Sequence, residues 1–467
     1  MPVPLSTAAV WSAARRQRTF AVSVLLCSVG LAALPAGAQK SPAVPKRDDA
    51  VLAAVCAVSA APLERTVRDL AAFPTRHTLS GARGVDAAAA YLAREFTAIS
   101  RANGGRLLVE KQTWTQPAGN RMPAPHTLTN VIATLPGTET PERVIVISGH
   151  YDSRVTDVMN IKDRAPGAND DASGVAVVME LARVMAGRRY PCTVVFAAVT
   201  GEEQGLYGST HLAETMLSAK RNIVAMITND IVGNSRGEGG IRDDRHLRVF
   251  SAGYDPTEIP ADAARRRSAG TDADTPSRTL ARTAADATRR YVSGFSLALV
   301  YRNDRYGRGG DHSPFLQRGY AAVRMTEPNE DWRHQHQDLR VENGTQYGDL
   351  PEFVDYDYLA RVAQANASVV AELASAPPQP ADVTLKPDLS PRTTLSWAAL
   401  PNGAAACEVL WRKTTDTEWK GGRVLPKYQT TITLPLSKDD YLFAVRTISA
   451  SGARGLPAVP AAGRITR

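Results

Sequence analysis

Val144-Ile145-Val146-Ile147-Ser148-Gly149-His150-Tyr151-Asp152 runs from an unbroken β-branched stretch straight into side chains that can bind a metal or carry a proton. Four consecutive β-branched residues with no polar alternation read as a strand buried on both faces. The same reading applies to Thr193-Val194-Val195-Phe196 and to Ile223-Val224-Ala225-Met226-Ile227. Between the first two strands, Val175, Val178, Leu181 and Val184 recur at helical spacing and share one face. Strands alternating with helices predict an α/β fold, three layers deep, with a largely parallel mixed central sheet. Each of these strands leads into an acid or an imidazole: His150 after the first, Glu202-Glu203 after the second, Asp230 after the third. Ligands of open α/β sheets bind outside the carboxyl ends of the strands, so three strand ends point at one crevice. Asp170, in Asn169-Asp170-Asp171, precedes the helix, where a short polar residue commonly serves as a cap.

A fifth segment, His334-Gln335-His336-Gln337-Asp338, lies much later in the chain. Taken singly, each of these residues has an ordinary explanation as a cap, a solvated pair or a satisfied polar group. Taken together they supply two imidazoles and three carboxylates with Glu202 to spare, which suits two zinc ions. Paired ions sit about 3.5 to 4 Å apart, a separation that one carboxylate can bridge. His334 is the expected late ligand; His336, two residues on, and His312 could take its place. Ser153 and Ser173 lie close by without the partners of a nucleophilic triad.

Six stretches in this order resemble the zinc-dependent peptidases of family M28: Gly149-His150-Tyr151-Asp152-Ser153, the run from Pro166 to Gly174 around Asn169-Asp170-Asp171, the run from Gly201 to Ser209 beginning Gly201-Glu202-Glu203-Gln204-Gly205, Asn229-Asp230, Asp311-His312-Ser313-Pro314-Phe315, and the late histidine segment. The resemblance covers residues 50–375. It implies that Asp170 bridges two zinc ions, that His150 and Asp230 complete one site, and that Glu203 and a histidine four residues before an aspartate, here His334 before Asp338, complete the other. It further implies a general base at Glu202, an orienting carboxylate at Asp152 beside His150, and a cis peptide between Asp170 and Asp171. Arg333 stands where the family often carries a tyrosine. Zinc lowers the pKa of water to about 7, and Glu202 would take the proton and return it to the leaving amine. The implied activity is peptide hydrolysis by an exopeptidase, an aminopeptidase first of all. A single-zinc glutaminyl cyclase and an inactive peptidase-like binding protein are the other readings.

The ends of the chain belong to other functions. Arg15, Arg16 and Arg18, the apolar stretch 20–34 and Ala36-Gly37-Ala38 have the layout of a secretory signal peptide over residues 1–38, followed by a linker to residue 49. That predicts a secreted or periplasmic protein, and no later apolar run is long enough to span a bilayer. Removing residues 1–38 takes away three arginines and no acid, lowering the formal charge from +8 to +5, a modest excess for a chain of 467 residues. Arg265-Arg266-Arg267 lies in a long polar stretch, 255–279, read as a solvated loop; no aromatic residues interleave with it, which argues against a nucleic-acid partner. Cys56, Cys192 and Cys407 are too dispersed for a disulfide framework and read as isolated, buried thiols.

Ala376-Pro377-Pro378-Gln379-Pro380 breaks the pattern. Beyond it, residues 393–397, 407–412 and 441–446 roughly alternate at period two, as in an all-β sandwich. Trp397, Val409-Leu410-Trp411-Arg412 and Asp439-Asp440-Tyr441 leading into Phe443-Ala444-Val445 make residues 376–467 resemble a fibronectin type III domain. Such a module suggests contact with a surface or a polysaccharide.

Overall fold

The computed structural model of the protein describes residues 47–460. The signal-peptide reading of residues 1–38 lies outside them. Eight strands form the central sheet: β1 (Leu108–Gln116), β2 (His126–Leu135), β3 (Thr140–His150), β4 (Cys192–Val199), β5 (Asn222–Asn229), β6 (His246–Ser251), β7 (Ser296–Val300) and β8 (Ala322–Thr326), in the order β1-β2-β4-β3-β5-β8-β6-β7. β3 runs parallel to β4 and β5, and β5 parallel to β8, while β1, β2 and the β6–β8 pair supply the antiparallel contacts. The three runs read as doubly buried strands are the three adjacent central ones; every residue of β4 is buried.

The chain leaves β3 for β4 on one side and then crosses to β5 on the other. A crevice opens where the strand order reverses in this way, and it opens at the end of β3 that carries His150. Helices cover both faces. Ala172–Met185, Tyr356–Ser375, Ala60–Ala71, Val85–Ala102 and Pro276–Tyr291 build one apolar layer, and Tyr207–Ser218 with Ser313–Leu316 covers the other side. The helix Ala172–Met185 is buried on nearly all sides, which its run of valines and alanines permits. Its first turn meets the sheet without side chains between them: a Cβ at Gly174 would lie 2.2 Å from the carbonyl oxygen of Asn229, and one at Gly149 would lie 2.6 Å from Gly174. Among the described residues no single helix is long and apolar enough to cross a membrane.

Two sequence readings are corrected here. The stretch 255–279 is not a bare loop, because Pro260–Ser268 is helical and Arg265-Arg266-Arg267 forms its last turn. Proline in the first turn and cations in the last both suit a helix, but no residue of this one is buried, so it has no apolar stripe for periodicity to find. Arg266 is paired there with Glu258 at 2.7 Å. The three cysteines are free as expected, yet only Cys192 and Cys407 are buried and Cys56 is exposed.

After Tyr356–Ser375 the chain forms two three-stranded sheets, one of Thr384–Leu385, Thr393–Ser396 and Thr431–Leu434, the other of Gly421–Pro426, Ala404–Lys413 and Tyr441–Ser449. Leu395, Trp397, Cys407, Val409, Ile432 and Phe443 fill the space between them. This sandwich is fastened to the α/β layers by charge. Asp274 Oδ1 accepts hydrogen bonds from Arg282, on the helix Pro276–Tyr291, and from Arg412 of the sandwich at 2.8 Å, and all three side chains are buried. Arg446 Nη1 donates to Asp286 at 2.8 Å, and the Tyr301 hydroxyl donates to the carbonyl oxygen of Thr417 at 2.7 Å. Removing the acid from a buried ion pair strands the cations it served, and Asp274 serves two. Asp274→Ala is expected to cost about 3 to 5 kcal/mol, measurable as a drop in the denaturation midpoint of the full chain.

Candidate metal centre

The site is built at the ends of β3, β4 and β5. His150 is the last residue of β3, Glu202 and Glu203 open the short helix Glu202–Gly205 after β4, and Asp230 follows β5. Gly201 enters that helix at φ +70°, a left-handed conformation that costs glycine little, so β4 can turn sharply and bring both glutamates over the strand ends. Asp170 comes from the turn before Ala172–Met185, and the Asp170–Asp171 peptide is cis, as the family resemblance implied. The cap of that helix is Asp171 and not Asp170: Oδ1 of Asp171 accepts from the Gly174 amide at 2.9 Å and Oδ2 from the His150 amide at 3.0 Å. Asp170 is thereby left free. Its own amide donates to Asp349 at 2.8 Å.

Two clusters result, sharing Asp170. In one, Nε2 of His150 lies 3.1 Å from Asp170 Oδ1 and 3.9 Å from Asp230 Oδ2. In the other, Nε2 of His336 lies 2.8 Å from both Asp170 Oδ2 and Glu203 Oε1. His150 Nε2, His336 Nε2 and Glu203 Oε1 are buried and make no hydrogen bond of acceptable geometry despite these short separations. Donor atoms that converge without bonding one another fit a cation between them. The electrostatics agree: burial alone would lower the His336 imidazole, but Glu203 and Asp170 push it up to about 10. Burial alone would raise Glu203, but His336 and Arg154 bring it down to about 2. Imidazole and carboxylate are the donors zinc accepts, and the shared carboxylate makes the centre dinuclear.

Residues 130–346 match the sequence model of peptidase family M28. A probable zinc metalloprotease of Leptosphaeria maculans is 46% identical over 421 residues, 89% of this chain and 97% of the relative. Another, of Pyricularia oryzae, is 45% identical over 441 residues, 92% of this chain and 87% of the relative. The chain belongs to peptidase family M28. Among solved structures, the LapA aminopeptidase of Legionella pneumophila matches with a TM-score of 0.51 and 20% identity, covering 71% of this chain and 76% of that one, a likeness of fold.

Of the five residues expected to hold metal in this M28 peptidase, the structure brings His150, Asp170, Glu203 and Asp230 together and leaves His334 outside. His336 stands in its place. The His334 ring stacks on Phe353 with centroids 3.6 Å apart, and its Nδ1 lies 3.8 Å from Asp331. The segment is irregular, with His336 at φ +52° and its ring against Asp170 and Glu203, while His334 and Gln335 line the neighbouring crevice without entering either cluster. His312 is buried behind the site and belongs to neither cluster, with its Nε2 2.9 Å from the carbonyl oxygen of Asn303. Arg333 is ion-paired with Asp331.

Glu202 lies beside the clusters without belonging to either. Burial pushes its carboxyl well above the ordinary range, with Asp230, Glu203 and Asp311 adding to the effect and His150 opposing it. The carboxylate of Asp152, expected to orient His150, lies 3.7 Å from its Nδ1, whereas the backbone carbonyl oxygen of Asp152 lies at 3.2 Å. The carboxylate instead accepts from the amides of Glu202 at 3.3 Å and Glu203 at 3.2 Å.

Three arginines escaped the sequence reading. Arg154 Nε donates to Glu203 Oε2 at 2.8 Å, and Arg324 is ion-paired with Asp230, its Nη2 2.8 Å from Oδ1 and donating to the backbone carbonyl oxygen of Asp230 at 3.4 Å. Arg76, fully buried, donates to the carbonyl oxygens of Leu70, Tyr151, Pro166 and Gly167, tying the segment after β3 to the turn that carries Asp170. Arg324 left a trace in the sequence, a lone charge inside the apolar run Ala322-Val323-Arg324-Met325-Thr326. His336→Ala is expected to lose one of two bound zinc ions and His334→Ala to keep both, as read by metal content per chain at saturating zinc.

Proposed function

We propose that the protein is an exported dizinc aminopeptidase, with His150, Asp170 and Asp230 holding one ion, Asp170, Glu203 and His336 the other, and Glu202 acting as general base. The observation that carries this reading is the convergence of buried, unbonded donors on the two oxygens of Asp170, with an uncommitted glutamate beside them. Zinc bound there supplies Lewis acidity and makes water a nucleophile near neutral pH. Glu202 takes a proton from that water at its carboxylate and delivers it to the amine that leaves. Asp152 keeps Glu202 and Glu203 in register through their amides, so the base and its neighbouring ligand are fixed by one side chain.

The choice of the amino end rests on the family, whose resemblance implies an aminopeptidase first of all. The crevice beside the centre is lined by Asp170, Glu327, Asp331 and Asp349, of which Asp349 is engaged by the amides of Asn169 and Asp170, Glu327 by Asn169 and the Asn234 amide, and Asp331 by Arg333. In this reading residues 1–38 are the export signal, residues 50–375 the peptidase, and residues 376–467 a fibronectin-like module. The module is assigned contact with a surface or polysaccharide by its resemblance to a fibronectin type III domain.

With two zinc ions bound, the protein is expected to release residues from peptides with a free amino end and to leave amino-blocked peptides intact. Glu202→Gln should keep both ions and lose about 100- to 10,000-fold in turnover. Cleavage of blocked peptides would overturn the choice of end, and undiminished turnover in Glu202→Gln would overturn the choice of base.

A further inference from the structure

Glu203 and Asp230 are each divided between the metal centre and an arginine. Glu203 turns Oε1 to within 2.8 Å of His336 Nε2 and gives Oε2 to Arg154 Nε at 2.8 Å. Asp230 turns Oδ2 towards His150 and gives Oδ1 to Arg324 Nη2 at 2.8 Å. Asp170 is different: one oxygen faces His150, the other faces His336, and neither meets an arginine. The two arginines come from unrelated segments, Arg154 from the loop after β3 and Arg324 from the middle of β8, so the repetition is not an accident of one loop.

Neither arginine is free to leave. Arg324 is wholly buried, with Nη1 3.0 Å from the carbonyl oxygen of Gly309 and 3.6 Å from Asp304 Oδ2. Arg154 is 17% exposed, and its Nη1 donates to the carbonyl oxygen of Val155 at 3.2 Å while Nη2 lies 2.6 Å from His336 Nδ1. Arg324 is ion-paired with Asp230 Oδ1, and Arg154 Nε makes a charge-assisted hydrogen bond to Glu203 Oε2, the strong kind. An oxygen engaged in one has its lone pairs directed at the guanidinium.

We propose that Arg154 and Arg324 restrict Glu203 and Asp230 to one metal-facing oxygen each, while Asp170 alone offers two. This rests on the dizinc reading above. Its consequence is a low ligand count at both ions, which keeps positions open for water and substrate, the property that separates a catalytic centre from a closed structural one. A carboxylate released from its arginine can swing its second oxygen onto the same ion and fill that position.

Cobalt in place of zinc reports the ligand count directly, since its visible absorption is intense at low coordination number and weak at six. Arg154 is the position to test, because Arg324→Met would strip Asp304 of a buried partner. With two cobalt ions bound per chain, Arg154→Met is expected to lose up to half of the visible intensity, the share of one ion, and Arg154→Lys, which keeps a charged donor, to retain it. Arg154→Met with two ions and an unchanged spectrum would overturn the proposal. So would Arg154→Met binding a single ion at saturation, because the arginine would then be needed to build the site. Failure of the unaltered protein to take up two ions would instead sink the dizinc reading.

Discussion

The carboxylate of Asp170 is the one group that both halves of the centre share, and most of the surrounding structure serves to present it. Its amide is held by Asp349, its neighbour Asp171 takes over the capping of the following helix, and Arg76 ties its turn to the end of β3. Its two oxygens then face imidazoles delivered from widely separated parts of the sequence, His150 and His336. A side chain asked to cap a helix and to bridge two cations would serve neither role well. Two adjacent aspartates divide the tasks between them.

The parts of the fold legible in sequence were those governed by burial. β3, β4 and β5 are central strands, buried on both faces, so their composition is uniform and their ends are marked by an abrupt change to polar residues. Where regular structure gives out, legibility does too. His334 and His336 sit two apart in a segment with no periodicity, and spacing to Asp338 favours a residue that the backbone turns away onto Phe353. Pro260–Ser268 escaped for a related reason, since a helix with no buried face leaves no hydrophobic pattern. Arg154 and Arg324 show the remaining limit: their importance lies in which carboxylate oxygen they touch, and that depends on positions brought together only by folding.

The sandwich illustrates how sequence can suggest a part and miss its attachment. Its strands were readable from alternation, but the acids and arginines that fix it to the α/β layers are spread from Asp274 to Arg446 and carry no common pattern. Buried ion pairs of this sort repay their desolvation only when geometry is good. Asp274 serves two guanidinium groups with one oxygen, while its other oxygen is buried without a partner.

The proline-rich segment that separates the two parts in sequence is itself held at several points. Arg143 donates to the carbonyl oxygen of Ala376, Thr447 to that of Pro377, and Gln379 to that of Pro457. It is therefore a seam and not a hinge. An endopeptidase that cut there would nick the chain without freeing the module, because the grip between the two parts does not run through the covalent link.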